Sequence, residues 1–134
     1  MEAENHERAA QTLRALAPGL TWSRATEAGL HADEVSATLS IAALTQLCAG
    51  HFPGAPVVPG AHLLGCLLDL AQQVDASAVV VERCVFRAQV RPDAPVVLAV
   101  WPAATGAAGR VLGEVRVPGE PRPAALVTFV RASG

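Results

Sequence analysis

Residues 51–60 read His-Phe-Pro-Gly-Ala-Pro-Val-Val-Pro-Gly, and no other stretch constrains the chain as tightly. Three prolines and two glycines in ten residues leave the backbone little freedom. The run behind it, Ala61 to Ala71, is almost wholly apolar, with Gly65 its one glycine and no proline. That is the composition of a buried helix. A rigid loop headed by His51 and feeding such a helix puts an imidazole near a helix N-terminus. There an acyl oxygen can be held and a neighbouring proton removed.

The chain has 134 residues, which suits one domain, residues 1–134, with room for a real core but with little to spare. Hydrophobic residues make up 51% and charged residues 16%, so much apolar surface has few charges to cover it. Part of that surface is expected to meet a partner chain. A net charge of −2 argues against nucleic acid as a partner. All ten basic residues are arginine, a bias we attribute to genomic composition. Cys48, Cys66 and Cys84 match no zinc or disulfide spacing and read as small buried hydrophobes in a reducing compartment. No metal site is expected. The acidic N-terminus does not read as a secretory signal, and the apolar run Ala61–Leu68 is too short to span a membrane. We expect a cytoplasmic protein with no membrane partner.

Ala9, Leu13 and Leu16 fall at helical spacing before Pro18-Gly19, which predicts a helical extension over residues 1–19. A strand is expected at Leu20–Ala25. Residues 34–41 alternate, with Val35, Ala37, Leu39 and Ile41 on one face, the pattern of a half-buried strand. Residues 42–50 read as a short helix or turn. After the central helix come strands at Ala78–Val81 and Cys84–Val90, broken at Glu82-Arg83, then at Val96–Trp101, Arg110–Val117 and Ala124–Arg131. The turns are Arg91–Pro95, the small-residue loop Ala103–Gly109, and Pro118–Pro123. One central helix among antiparallel strands is α+β, and a curved sheet around the helix accounts for its apolarity.

At this point the chain resembles a known family. His51-Phe-Pro-Gly-x-Pro-Val-x-Pro-Gly60, with Gly50 before it, Phe86-Arg87 and Val90-Arg-Pro-Asp93 after the helix, is similar to the 3-hydroxyacyl-acyl-carrier-protein dehydratases of bacterial fatty-acid synthesis. The similarity covers roughly residues 33–131. It implies a hot-dog fold, a curved antiparallel sheet wrapped around one helix, paired into a double hot-dog dimer with an acyl tunnel at the interface. It implies no bound cofactor, the substrate arriving on the phosphopantetheine of an acyl carrier protein. It also implies that the signature histidine of one subunit works with a Glu or Asp on the other subunit's central helix. That acid stands fourteen positions after the histidine, and the count from His51 reaches Gly65.

Dehydration of a 3-hydroxyacyl thioester removes a C2 proton and protonates the departing C3 hydroxyl. His51 suits the first task, because a neutral imidazole titrates near working pH. The Gly60 N–H, with the helix dipole behind it, suits the enolate-like oxygen. Phe52, Val57 and Val58 would wall the site from water. A general acid contributes about 10²–10⁴-fold, and glycine supplies none of it. Three explanations follow. A partner subunit brings its own acid opposite His51, giving a heterodimer of the kind seen among polyketide-type dehydratases that resemble this family. A homodimer remains the other pairing. Or the acid has moved along the tunnel, to Asp69 or to His62, which share a helix face with Gly65. One turn displaces a group by about 5.4 Å, so a rearrangement or a bridging water is then required. Each also reads as a plain polar or hydrogen-bonded residue. Or the chain is a non-catalytic or thioesterase-like acyl-binding subunit. Arg83, Arg87 and Arg91, at four-residue intervals, are candidates to meet the acidic carrier.

Overall fold

Period-two alternation builds the sheet. The computed structural model describes residues 21–24, 31, 33–48, 56–103 and 109–132. Within them the order is β1 (Thr21–Arg24), β2 (Val35–Leu39), α1 (Ile41–Leu47), α2 (Gly60–Val74), β3 (Ala78–Phe86), β4 (Val96–Pro102), β5 (Val111–Arg116) and β6 (Ala125–Arg131). The strands form one antiparallel sheet in the order β1-β2-β4-β5-β6-β3. The helical extension expected over 1–19 lies outside the described residues, as do His51, Phe52 and residues 104–108.

Alternation also sets what faces α2. Leu39 pairs with Val96 and Ala37 with Leu98, then Leu98 with Val115 and Val115 with Ala125. All are buried, and on the helix Leu63, Cys66, Leu67 and Leu70 are 0–1% exposed against them. Each such leucine stabilises the fold by about 1.5–3 kcal/mol of transfer free energy. At Gly113 an added Cβ would lie 3.2 Å from the Val100 side chain of the neighbouring strand and 3.6 Å from Leu67 on α2.

Three boundaries differ from the sequence reading. The strand expected to reach Ile41 ends at Leu39, because the Ser40 hydroxyl accepts the Ala43 N–H at 3.1 Å and caps α1, leaving Ile41 46% exposed. The break expected at Glu82-Arg83 is a register shift inside a continuous β3. Val90 belongs to no strand; it forms an isolated bridge with Val58, whose N–H meets the Val90 carbonyl at 2.8 Å. That bridge ties the end of the proline-rich loop to the turn after β3.

The face of the sheet away from α2 carries an ion network. Glu114 and Arg116 alternate with the helix-facing Val115, and Arg116 also reaches Glu34 just before β2. Among the described residues no helix is long and apolar enough to cross a membrane.

Candidate active site

Helix α2 starts without a side-chain cap. The His62 and Leu63 N–H groups both turn back to the Pro59 carbonyl, at 3.0 and 3.3 Å. The Gly60 and Ala61 N–H groups precede the first helical turn and have no acceptor within the helix. They form the positive end of a fifteen-residue dipole. Glycine at position 60 has a physical reason: an added Cβ would stand 3.0 Å from the Phe86 ring. Phe86 ends the edge strand β3 on its helix side, opposite Ala125, and is 45% exposed. The ring lies across the helix start, a placement that sequence reasoning missed. Its signal was present, since aromatic residues are only 4% of the chain and this one ends a strand beside an arginine.

The other expected tunnel residues separate into two groups. Val58 is buried and Val57 half-buried, both held beside the α2 start by the bridge to Val90. His62 is exposed, and its Nδ1 lies 3.2 Å from the Leu47 carbonyl. A carbonyl only accepts, so the proton of this contact sits on Nδ1 and the ring pins the end of α1 to α2. Gly65 and Asp69 lie further along the same face. Among the described residues, and apart from the adjoining helix backbone and the two chain neighbours, no atom comes within 4 Å of a Cβ built on Gly65.

Asp69 is the chemically distinctive group. Its Oδ2 is buried and has no hydrogen-bond partner among the described residues. Burial pushes its carboxyl up to about 7, so near neutral pH it holds a proton much of the time. The neighbouring Cys66 thiol is pushed up to about 12, by burial first and by Asp69 second, which leaves it inert. Cys48 is likewise buried and free, and Cys84 half-buried and free.

The arginines fall elsewhere. Arg83 and Arg87 line an open hollow of about 350 Å³ with Trp101, Leu112, Leu126 and Thr128, on the outer face of the sheet. A second hollow of about 600 Å³ continues from Arg87 past Arg122 and Ala124. Neither is lined by Asp69 or Gly65, so Arg83 and Arg87 stand apart from that stretch of α2.

The profile of the ApeI dehydratase family matches residues 27–110, which includes the loop, α2 and β4. The chain belongs to the ApeI-like dehydratase family. Its fold is the hot-dog fold, and solved structures share it. The dehydratase heterocomplex ApeI:P from Xenorhabdus doucetiae superposes with a TM-score of 0.59 at 17% identity, over 80% of this chain and 92% of that one. The PaaI protein from the phenylacetic acid degradation operon of E. coli gives 0.61 at 14%, over 96% and 92%. A structure bearing on dehydratase substrate selection in the borrelidin and fluvirucin polyketide synthases gives 0.56 at 20%, over 75% of this chain and 37% of that one. No curated protein matches the sequence.

Proposed function

We propose that this ApeI-like protein is a subunit of a 3-hydroxyacyl-thioester dehydratase acting on carrier-bound chains in fatty-acid-like or polyketide biosynthesis. The family match across the signature loop and the central helix carries this reading. His51 takes the C2 proton, and the Gly60 N–H receives the charge that develops on the thioester oxygen. Phe52, Val57 and Val58 keep water from the enolate. The proton for the departing hydroxyl crosses the interface from a partner subunit, because position 65 offers none.

Two observations support a hot-dog partner. The similar ApeI:P structure is a heterocomplex. Strand β3 is an edge of the sheet and exposes Val79, Val80 and Val81 at 38–41% along with Phe86. An apolar edge of that kind is ready to pair. No cofactor is required, since thioester, imidazole and carboxyl suffice for the chemistry.

The test is direct. The purified chain, alone and with candidate partner subunits, is incubated with a 3-hydroxyacyl carrier protein and followed by mass. Loss of one water is expected. Release of a free carrier thiol in place of water loss would replace this reading with the thioesterase one. Acyl binding without either change would leave a non-catalytic subunit.

A further inference from the structure

The proposed dehydration lacks a proton donor at position 65, while a buried acid one turn away lacks a partner. We infer that Asp69 is the proton source, acting through a water seated beside Gly65, so that a second copy of this chain is a sufficient partner. The inference rests on the dehydratase reading above.

Three features carry it. Asp69 follows Gly65 by four residues and projects from the same helix face. Its Oδ2 is shielded in the single chain and unpaired, whereas Glu34 and Glu114, the other buried acids among the described residues, are bonded. An unpaired buried polar atom is costly, and a proton-transfer role gives this one a reason. The space beside Gly65 is open among the described residues. One helical turn is about 5.4 Å. Two successive hydrogen bonds between oxygens span about 5.5 Å, so one water covers the displacement.

The electrostatics agree. No cation pairs with Asp69 among the described residues, and the ionisable group that interacts with it is the neutral Cys66 thiol. The carboxyl is therefore free to hold its proton until it is needed. The residue as a whole is only half-buried, so solvent can restore that proton after each turnover.

His51 removes the C2 proton and the C2–H electron pair moves onto the thioester oxygen as the enolate; it then returns to form the C2=C3 bond as the C3–O bond breaks. The departing hydroxide takes a proton from the bridging water, which takes one from Asp69. The products are the unsaturated thioester and water. The imidazolium and the carboxylate return to their starting states by exchange with solvent.

The experiment uses the full chain, purified without other subunits, with short- and medium-chain 3-hydroxyacyl-pantetheine thioesters. The wild-type chain is expected to turn over alone, its rate falling as pH rises through about 7 as the donor loses its proton. Asp69→Asn is expected to lower the rate by about 10²-fold or more and to abolish that alkaline fall, while Asp69→Glu retains both. Adding Gly65→Glu to Asp69→Asn is expected to recover turnover, because position 65 has room for the side chain. An Asp69→Asn chain with unchanged rate and pH profile would overturn the inference and leave the His51 reading intact. So would an Asp69→Asn chain that fails to fold, since the carboxyl would then have a structural partner. Turnover that appears only with a second hot-dog subunit bearing its own acid would do the same. No turnover in either state would overturn both.

Discussion

Buried carboxylates lie on both faces of this sheet, and the two faces treat them differently. On the outer face Glu34 is 1% exposed and Glu114 7%, and Arg116 serves both. Its Nη2 meets Glu34 at 2.5 Å and Glu114 at 3.0 Å, with further contacts at 3.2 Å from Nη1 and Nε. Burial works against the charge of that guanidinium, but the hydrogen bonds to Glu34 and then Glu114 outweigh it and hold Arg116 more firmly protonated than usual. His31 adds to the cluster, 3.6 Å from Glu114 and stacked on Trp101 at 3.7 Å between ring centroids. On the helix side, the Asp69 Oδ2 has no such partner among the described residues. A buried acid that is fully partnered is scaffold, whereas one left without partners keeps its proton and can give it away.

The largest effect is expected from breaking the outer network. Arg116→Met leaves two buried carboxylates facing one another, and should cost about 3–5 kcal/mol in a urea titration. A cost below about 1 kcal/mol would make the outer cluster as dispensable as a surface pair.

Next is the pH dependence of stability. The folded Asp69 carboxyl binds its proton more tightly than the unfolded one, with a pKa raised from 3.8 to about 7. Its contribution is therefore complete below pH 3.8 and is lost as pH rises through about 7. Discounted for partial solvent contact, the loss is about 2 kcal/mol. Asp69→Asn should remove this slope, as read from urea midpoints across that range. Its catalytic loss and its preserved stability should dissociate, which Arg116→Met cannot do.

Smaller effects sharpen the contrast. His31→Ala removes the stack on Trp101 and should cost about 0.5–1.5 kcal/mol. On α2, Gly65→Ala should stabilise by about 0.5–1 kcal/mol, since the space is open and alanine favours helix. Gly60→Ala should not, because Phe86 must shift to admit the methyl. Thermal unfolding of the two variants compares them directly.

Much of the fold was legible in the sequence because its signals were local. Alternation at 34–41 gave the helix-facing residues of β2, and the proline-rich loop followed by an apolar run gave α2 and the family. What stayed hidden was tertiary. Ser40 reads equally well as a strand residue or a cap until its hydroxyl is seen to bond Ala43. The Glu34–Arg116 pair joins residues far apart in sequence, and no periodicity announces it. Phe86 over Gly60 depends on how the sheet curls, and the placement of Arg83 and Arg87 on the outer face depends on the register of β3 against β6. Gly65 was recognised as the missing acid by counting. That Asp69 is buried and unpaired required coordinates.

The proposed site is divided between subunits, with His51 from one and a carboxyl on the helix of the other. Co-expression of His51→Ala and Asp69→Asn chains tests it most directly. Each variant alone should be reduced by about 10²-fold or more in dehydration of a 3-hydroxyacyl thioester. Mixed dimers should regain turnover, because one of their two sites pairs an intact His51 with an intact Asp69. Mixed dimers as inactive as their parents would contradict the account.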